Sequence, residues 1–164
     1  MLEARGLARV SKTPGKTRAC NLYDVDGTWY LVDLPGYGFA KASHADRAAF
    51  GELVKAYLAS RQHLVGVVWL LDIRRDPSEE DLAMGDRFAE TGVPLLAAIT
   101  KADKVTLTHR KPRIREIARA AGVAEEQAIL TSSLSGEGIE DLRDSILALV
   151  SGRAGVRTGG RADE

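Results

Sequence analysis

Two continuous apolar segments constrain the fold of this chain more than any other feature. They run from Leu64 to Asp72 and from Val93 to Thr100, without the alternation of a strand that has one solvated face. Such strands are buried on both faces, as in a parallel sheet covered by helices. Gln127–Thr131 is a shorter candidate of the same kind. We therefore expect a parallel sheet to form the core.

Helical segments separate these strands. Four stretches have apolar residues at helical spacing: Ala45–Arg61, the segment that follows Asp76-Pro77, Thr108–Ala121 and Gly138–Val150. We expect Asp76 to cap the second helix, with Pro77 at its first position. Strands that alternate with helices predict right-handed crossovers and an open α/β sheet.

One hairpin precedes the parallel strands. Ala19–Val25 and Trp29–Val32 are strand-like, and Asp26-Gly27 between them is a strong two-residue turn signal. The sheet should therefore be mostly parallel with one antiparallel hairpin strand.

The composition indicates the number of domains, the kind of partner and the cellular compartment to expect. With 164 residues and 45% hydrophobic content, one buried domain over residues 1–151 is expected, followed by a disordered, glycine-rich tail over residues 152–164. The net charge is zero, so there is no general attraction to nucleic acid or membrane. The single Cys20, and the lack of a signal core or a spanning run, predict a cytoplasmic protein without a disulfide.

Polar motifs follow the strands, where open α/β sheets bind their ligands. They are Asp33-Leu34-Pro35-Gly36, Thr100-Lys101-Ala102-Asp103 and Thr131-Ser132-Ser133, in the order of a GTP-binding domain. The Asp103 carboxylate can accept two hydrogen bonds from guanine, which adenine cannot supply. Lys101 would lie along the base, and backbone N–H groups near Ser132 and Ser133 would meet the guanine oxygen. A Lys and an Asp on an ordinary surface are the alternative for an isolated T-K-x-D.

The Asp33 motif predicts contacts to Mg²⁺ and to the γ-phosphate. Asp33 would hold a water on Mg²⁺, and the Gly36 N–H would meet the γ-phosphate. Tyr37 stands where many GTPases keep a glutamine that orients water, so hydrolysis should be slow or need a partner.

A phosphate-binding loop is not evident. Val10–Thr17 nearly fits G-x-x-x-x-G-K-[ST], but Val10 replaces the first glycine, and the flanking sequence has neither the strand nor the helix that such a loop needs. The stretch is better interpreted as a switch loop. Thr17 would then bind Mg²⁺ directly, and the GTP contacts would include Gly15, Lys16, Arg18 and Ala19.

These motifs, together with Trp29–Lys41 and Thr100–Lys104, closely resemble the EngB family of bacterial GTP-binding proteins. The resemblance runs from about Arg5 to Val150. It implies a P-loop GTPase-like three-layer open sheet that binds GTP or GDP with Mg²⁺, in a monomer. It also implies a role in large ribosomal subunit assembly and in normal cell division and septation.

The chain departs from the family at its start. Relatives begin with a strand, a phosphate loop and a first helix, so we expect Met1 to be an internal methionine of a longer, N-terminally truncated protein. The resemblance places the absent strand between those ending at Asp33 and Asp72. The 164-residue chain should then bind GTP weakly. The alternative is a nucleotide-independent interaction module on a degenerate GTPase fold.

Two basic clusters are candidates for contact with ribosomal RNA or a subunit precursor. They comprise Arg5, Arg9, Lys12, Lys16 and Arg18, and then Arg110, Lys111, Arg113 and Arg115. Solvated surfaces are the alternative.

Gly36-Tyr37-Gly38 is a poor dinucleotide motif, because Lys41 replaces the third glycine. His44, His63 and His109 have no metal-ligand spacing.

Overall fold

The computed structural model describes residues 21–34, 50–52, 54–58 and 63–154. The chain divides after residue 62 into two compact units. The cluster Gly15–Ala19 and the Pro35–Tyr37 part of the Asp33 motif lie outside the described residues.

The first unit contains the predicted hairpin. Strands β1 (Asn21–Val25) and β2 (Trp29–Asp33) pair antiparallel. Asp26 and Gly27 both have positive φ, 52° and 65°, as the mirror-image turns of hairpins require. The Gly27 N–H donates to Asp24 Oδ1 at 2.8 Å, which fixes the turn. Residues 50–52 and 54–58 are helical, inside the helix predicted over 45–61.

The second unit is built on the predicted parallel sheet. Its strands are β3 (Val67–Asp72), β4 (Leu95–Thr100) and β5 (Ala128–Leu130), in the order β3-β4-β5. Asp72 is level with Thr100, and Ile99 is level with Leu130. Three consecutive β4 residues, 97–99, are fully buried, so the unbroken apolar run does mark a strand covered on both faces.

Three helices cover this sheet: α1 (Glu79–Glu90), α2 (Leu107–Ala120) and α3 (Ile139–Ala154). Helix α1 packs on β3, since a Cβ at Gly85 would lie 2.9 Å from the Trp69 ring. The Trp69 ring also meets Phe88 edge to face, with centroids 5.9 Å apart. None of the helices in the described part of the chain is long and apolar enough to cross a bilayer.

The cap of α1 differs from the sequence prediction. Ser78, not Asp76, is the N-cap: Ser78 Oγ accepts from Asp81 N at 3.1 Å, and Asp81 Oδ2 accepts from Ser78 N at 2.8 Å. This reciprocal capping box satisfies donors at both ends of the first turn. Asp76 instead accepts from Arg113 at 2.7 Å. The predicted Asp76 cap and first-position Pro77 are therefore wrong by two residues.

The last helix extends beyond its predicted end. Helix α3 continues to Ala154, past the predicted start of the tail at residue 152, and residues 155–164 lie outside the described range. The predicted apolar face is confirmed at Leu142, which is 2% exposed.

Candidate functional site

The candidate site lies at the carboxyl ends of the three parallel strands. Two loops follow these ends: the first loop, residues 101–106 after β4, and the second loop, residues 131–138 after β5. The Ala102 N–H donates to the Thr131 carbonyl at 3.0 Å, which joins the two loops. Thr131 N donates in turn to Ile99 O at 2.8 Å. The predicted Lys101, Asp103, Ser132 and Ser133 are therefore held at one edge of the sheet.

Asp103 has a defined environment in the first loop. Its Oδ1 accepts a 2.7 Å hydrogen bond from Ser132 Oγ, and its Oδ2 lies 3.1 Å from Lys104 Nζ. The Ser132 hydrogen bond, followed by that of Lys104, lowers the pKa of Asp103 below its usual value. The carboxylate is thus ionised at neutral pH and is oriented from the second loop.

Ser132 contributes its side chain, which the sequence did not predict. The residue is fully buried; its hydroxyl donates to Asp103 and accepts from the Ser135 N–H at 3.2 Å. A buried hydroxyl that both donates one hydrogen bond and accepts another has a fixed orientation. Ser132 therefore positions the carboxylate, in addition to the predicted role of the backbone near it. Ser133 is exposed.

Lys101 has a strained backbone and a defined partner. Its φ of 63° and ψ of 38° lie in the left-handed region, which side chains other than glycine seldom adopt. Its Nζ donates to Asp72 Oδ2 at 2.8 Å, at the end of β3. The hydrogen bond from Arg74 and that from Lys101 hold the pKa of Asp72 far below its usual range, against the effect of burial. An ionised Asp72 thereby orients the predicted base-stacking lysine.

Three other predicted residues form the framework of the site. Thr100 Oγ1 donates to Leu71 O at 3.0 Å, which ties β4 to β3. Ala102 is fully buried and Thr131 is 4% exposed, and the hydroxyl of Thr131 is directed to Ile99 O at 3.4 Å. These side chains belong to the core. By packing there, they hold in place the loop that carries Lys101 and Asp103.

The second basic cluster is largely neutralised. Arg110 binds Glu137 at 2.7 Å, Arg113 binds Asp76 at 2.7 Å, and Arg115 binds Glu125 at 3.2 Å. Arg110 and Arg113 also donate to backbone carbonyls. These three arginines are therefore ion-paired in the structure, and RNA contact by this cluster stays a prediction. Lys111 is exposed.

Asp33 is the described part of the predicted metal site. It is exposed at the end of β2, and its Oδ2 accepts from Asn21 Nδ2 at 3.3 Å; Leu34 beside it is half-buried. The described residues contain no group of three or more His, Cys, Asp or Glu suited to a metal. A single exposed carboxylate does fit Mg²⁺, which keeps several waters and takes other ligands from phosphates.

Sequence reasoning did not connect four residues to this site: Asp72, Arg110, Glu137 and Gly138. Gly138 has a φ of 66°, and a Cβ there would overlap the Leu130 carbonyl oxygen. The glycine-rich stretch Ser135–Gly138 was a local signal for a tight turn. Arg110 and Glu137 are 27 positions apart, so no local pattern links them.

Taken together, the first loop carries the oriented Asp103 carboxylate and, two residues earlier, Lys101, whose side chain is held by Asp72. A carboxylate with a second lone pair free on each oxygen can accept two parallel N–H groups from a planar ligand. The guanine base presents such a pair, and adenine does not. The described geometry therefore fits recognition of a guanine base.

Known proteins share this sequence and fold. Residues 1–101 match the family model described as 50S ribosome-binding GTPase. The chain is 42% identical to the "Probable GTP-binding protein EngB" of Syntrophotalea carbinolica, over 87% of this chain and 69% of that protein. It is 40% identical to the protein of the same name from Syntrophomonas wolfei, over 89% of this chain and 75% of the relative.

Solved structures support the fold alone. A crystal structure of a probable GTP-binding protein engB superimposes with a TM-score of 0.73 at 19% identity, covering 87% of this chain and 85% of that one. Era in complex with MgGDPNP and nucleotides 1506–1542 of 16S ribosomal RNA superimposes with a TM-score of 0.57 at 20% identity. That match covers 79% of this chain and 43% of Era. Both support the predicted P-loop GTPase-like α/β fold.

Proposed function

This chain belongs to the EngB family of GTP-binding proteins, and we propose that it is a GTP/GDP switch that reads guanine through Asp103. The observation that carries the proposal is the 2.7 Å hydrogen bond by which buried Ser132 orients the Asp103 carboxylate. A fixed acceptor pair loses little entropy when the base binds. Lys101, two residues earlier in the same loop, would cover one face of the base.

Other predicted residues would bind the phosphates and Mg²⁺. Thr17 would bind Mg²⁺ directly, and Asp33 would hold one of its waters, with GTP contacts along Gly15–Ala19 and Leu34–Gly36. Mg²⁺ would neutralise charge on the phosphates when it is bound. Tyr37, in the position of a water-orienting glutamine, favours slow hydrolysis that depends on a partner.

The cellular role is proposed from the relatives. The matching family model is described as a 50S ribosome-binding GTPase. We infer that this chain acts on a precursor of the large ribosomal subunit, as a cytoplasmic monomer. A requirement in cell division and septation belongs to the same proposal.

Contact with a ribosomal particle can be tested by reversing basic residues that form no ion pair in the described part of the structure. Arg110, Arg113 and Arg115 are poor choices, because reversing them would break ion pairs. We expect Lys111→Glu, combined with Arg9→Glu and Lys12→Glu, to reduce co-sedimentation with large-subunit precursors. The exposed Lys55→Glu serves as the control. Unchanged sedimentation of the triple variant would remove RNA contact by these clusters from the proposal.

The base-reading role is tested by Asp103→Asn. An asparagine side chain accepts one hydrogen bond and donates one, so it suits xanthine, which carries an oxygen where guanine carries its amino group. We expect this variant to bind GDP at least tenfold more weakly and to bind xanthosine diphosphate more tightly than the wild type does. Asp86→Asn, an exposed change on α1, should leave both affinities unaltered. Equal preference in the wild type for guanosine and xanthosine nucleotides would contradict the proposal and favour an interaction module.

A further inference from the structure

One arginine connects the two loops of the candidate site. Arg110, in the first turn of α2, is 15% exposed in its side chain. Its Nε donates to the Val105 carbonyl of the first loop at 2.9 Å. Its Nη1 donates to both carboxylate oxygens of Glu137 in the second loop, at 2.7 and 2.8 Å. The guanidinium therefore spans both loops.

Glu137 extends this link to the base-reading pair. Its backbone carbonyl accepts from the Ser132 N–H at 2.9 Å, and Ser132 Oγ donates to Asp103. Val105 is two residues beyond Asp103. The contacts thus form a closed ring through Arg110, Val105, Asp103, Ser132 and Glu137.

The second loop needs such a restraint. Glu137 lies between Gly136 and Gly138, whose φ values are 81° and 66°. Glycine loses more backbone freedom on ordering than other residues, so this stretch does not hold its shape through local preference alone. The Arg110 side chain is 15% exposed and that of Glu137 is 40% exposed, so the contact is only partly shielded from water. It is charge-assisted, and the bond from Arg110 to the Val105 carbonyl anchors it to the first loop, so together these bonds can supply the missing restraint.

We propose that Arg110 and Glu137 are positioning residues that fix Asp103 for guanine and so set the selectivity of the base site. The inference rests on the proposed function. Removing either partner frees the second loop, lets Ser132 move, and leaves the Asp103 carboxylate less well aligned with the two guanine donors. Recognition of the guanine amino group then suffers more than general nucleotide binding does.

The test compares wild type, Arg110→Gln, Glu137→Gln and the double variant in the full chain. Affinities for GDP and for inosine diphosphate, which lacks the amino group, are measured by NMR titration up to millimolar nucleotide. We expect the wild type to prefer GDP by about tenfold and each single variant to lose most of that preference. The double variant should match Arg110→Gln, since Glu137→Gln removes a contact that Arg110→Gln has already removed.

Arg115→Gln is the matched control. It removes an arginine from the same helix, but its ion pair with Glu125 is exposed, at 57% and 47% of the two side chains. This variant should keep the wild-type preference. An unchanged preference in Arg110→Gln and Glu137→Gln, accompanied only by a lower melting temperature, would show a merely structural role. Additive losses in the double variant would also overturn the proposal.

Hydrogen exchange separates the failure of this inference from the failure of the proposed function. The Ser132 and Gly136 amides donate within the second loop, to Glu137 O and Ser132 O. Both should exchange faster in Arg110→Gln and Glu137→Gln, while the Val123 amide, bonded to Ala118 O, should not change. A wild type that shows no preference for guanosine diphosphate over inosine diphosphate would remove the proposed function. Unchanged exchange in the variants would remove the positioning role of Arg110 and Glu137, whether or not nucleotide binds.

Discussion

Ser132 Oγ donates to Asp103 Oδ1 at 2.7 Å and so couples two loops that are 29 residues apart in sequence. Ser132 is fully buried, while 17% of the Asp103 side chain is exposed. The serine is therefore shielded from solvent, and the carboxylate remains accessible to a ligand. This division is what we expect if Ser132 positions the carboxylate and Asp103 binds the ligand.

Ser132→Ala tests that division. Loss of the hydroxyl removes the largest contribution that lowers the pKa of Asp103, so this pKa should rise toward its usual value. The freed carboxylate should also bind guanine nucleotide about tenfold more weakly. Carboxylate titration by NMR and GDP binding measure the two effects.

Ser151→Ala is the control for this change, since Ser151 is an exposed serine near the end of α3. It should alter neither quantity. A Ser132→Ala protein with wild-type affinity for GDP would mean that Asp103 does not need the serine for its orientation.

Asp72→Asn is expected to destabilise the fold in a pH-dependent way. Arg74 and Lys101 bind the ionised carboxylate, and together they lower the pKa of Asp72 in the folded state. Its contribution is therefore fully present above the unfolded pKa, near 4, and is lost as the pH falls toward the folded value. Because both cations are half exposed, about 1 kcal/mol at pH 7 is expected.

Urea unfolding at a series of pH values measures this effect. The difference in unfolding free energy between wild type and Asp72→Asn should stay constant from about pH 7 to pH 5 and shrink below about pH 4. Asp86→Asn provides the comparison at an exposed site. A difference that persists undiminished to about pH 2 would contradict the assignment.

The sequence predicted the elements that depend on local signals. Unbroken apolar runs such as Val93–Thr100 mark buried strands, and Asp26-Gly27 marks a turn, because each signal lies within a few residues. The motif residues Lys101 and Asp103 could be proposed as site residues for the same reason, and their role stays a prediction.

What the sequence could not show depends on distant partners. The Ser132 hydroxyl and the charge on Arg110 acquire their roles from residues 29 and 27 positions away. The sequence therefore shows the charge on Arg110 but not its pairing with Glu137. At α1, Asp76 and Ser78 are both good caps, and the reciprocal bond with Asp81 selected Ser78.

The 164-residue chain should bind GTP weakly. The pattern G-x-x-x-x-G-K-[ST] does not occur in it. Each charge-assisted bond that such a loop gives to phosphate contributes about 1.5 to 3 kcal/mol, so three of them correspond to a loss of about 10³- to 10⁶-fold in affinity. Calorimetry with a non-hydrolysable GTP analogue measures it, and nanomolar or low-micromolar binding would refute the expectation.

Gly138→Ala should destabilise the second loop more than Gly136→Ala does. Both glycines have positive φ, which costs an alanine about 1 kcal/mol. Only at Gly138 would the new methyl group overlap the Leu130 carbonyl oxygen, where backbone must move; at Gly136 no atom lies within 4 Å. We therefore expect a cost of about 3 kcal/mol at Gly138 and about 1 kcal/mol at Gly136, measured by urea unfolding. Equal costs would mean that the end of β5 can shift to accept a side chain, and that the turn before α3 is not rigid.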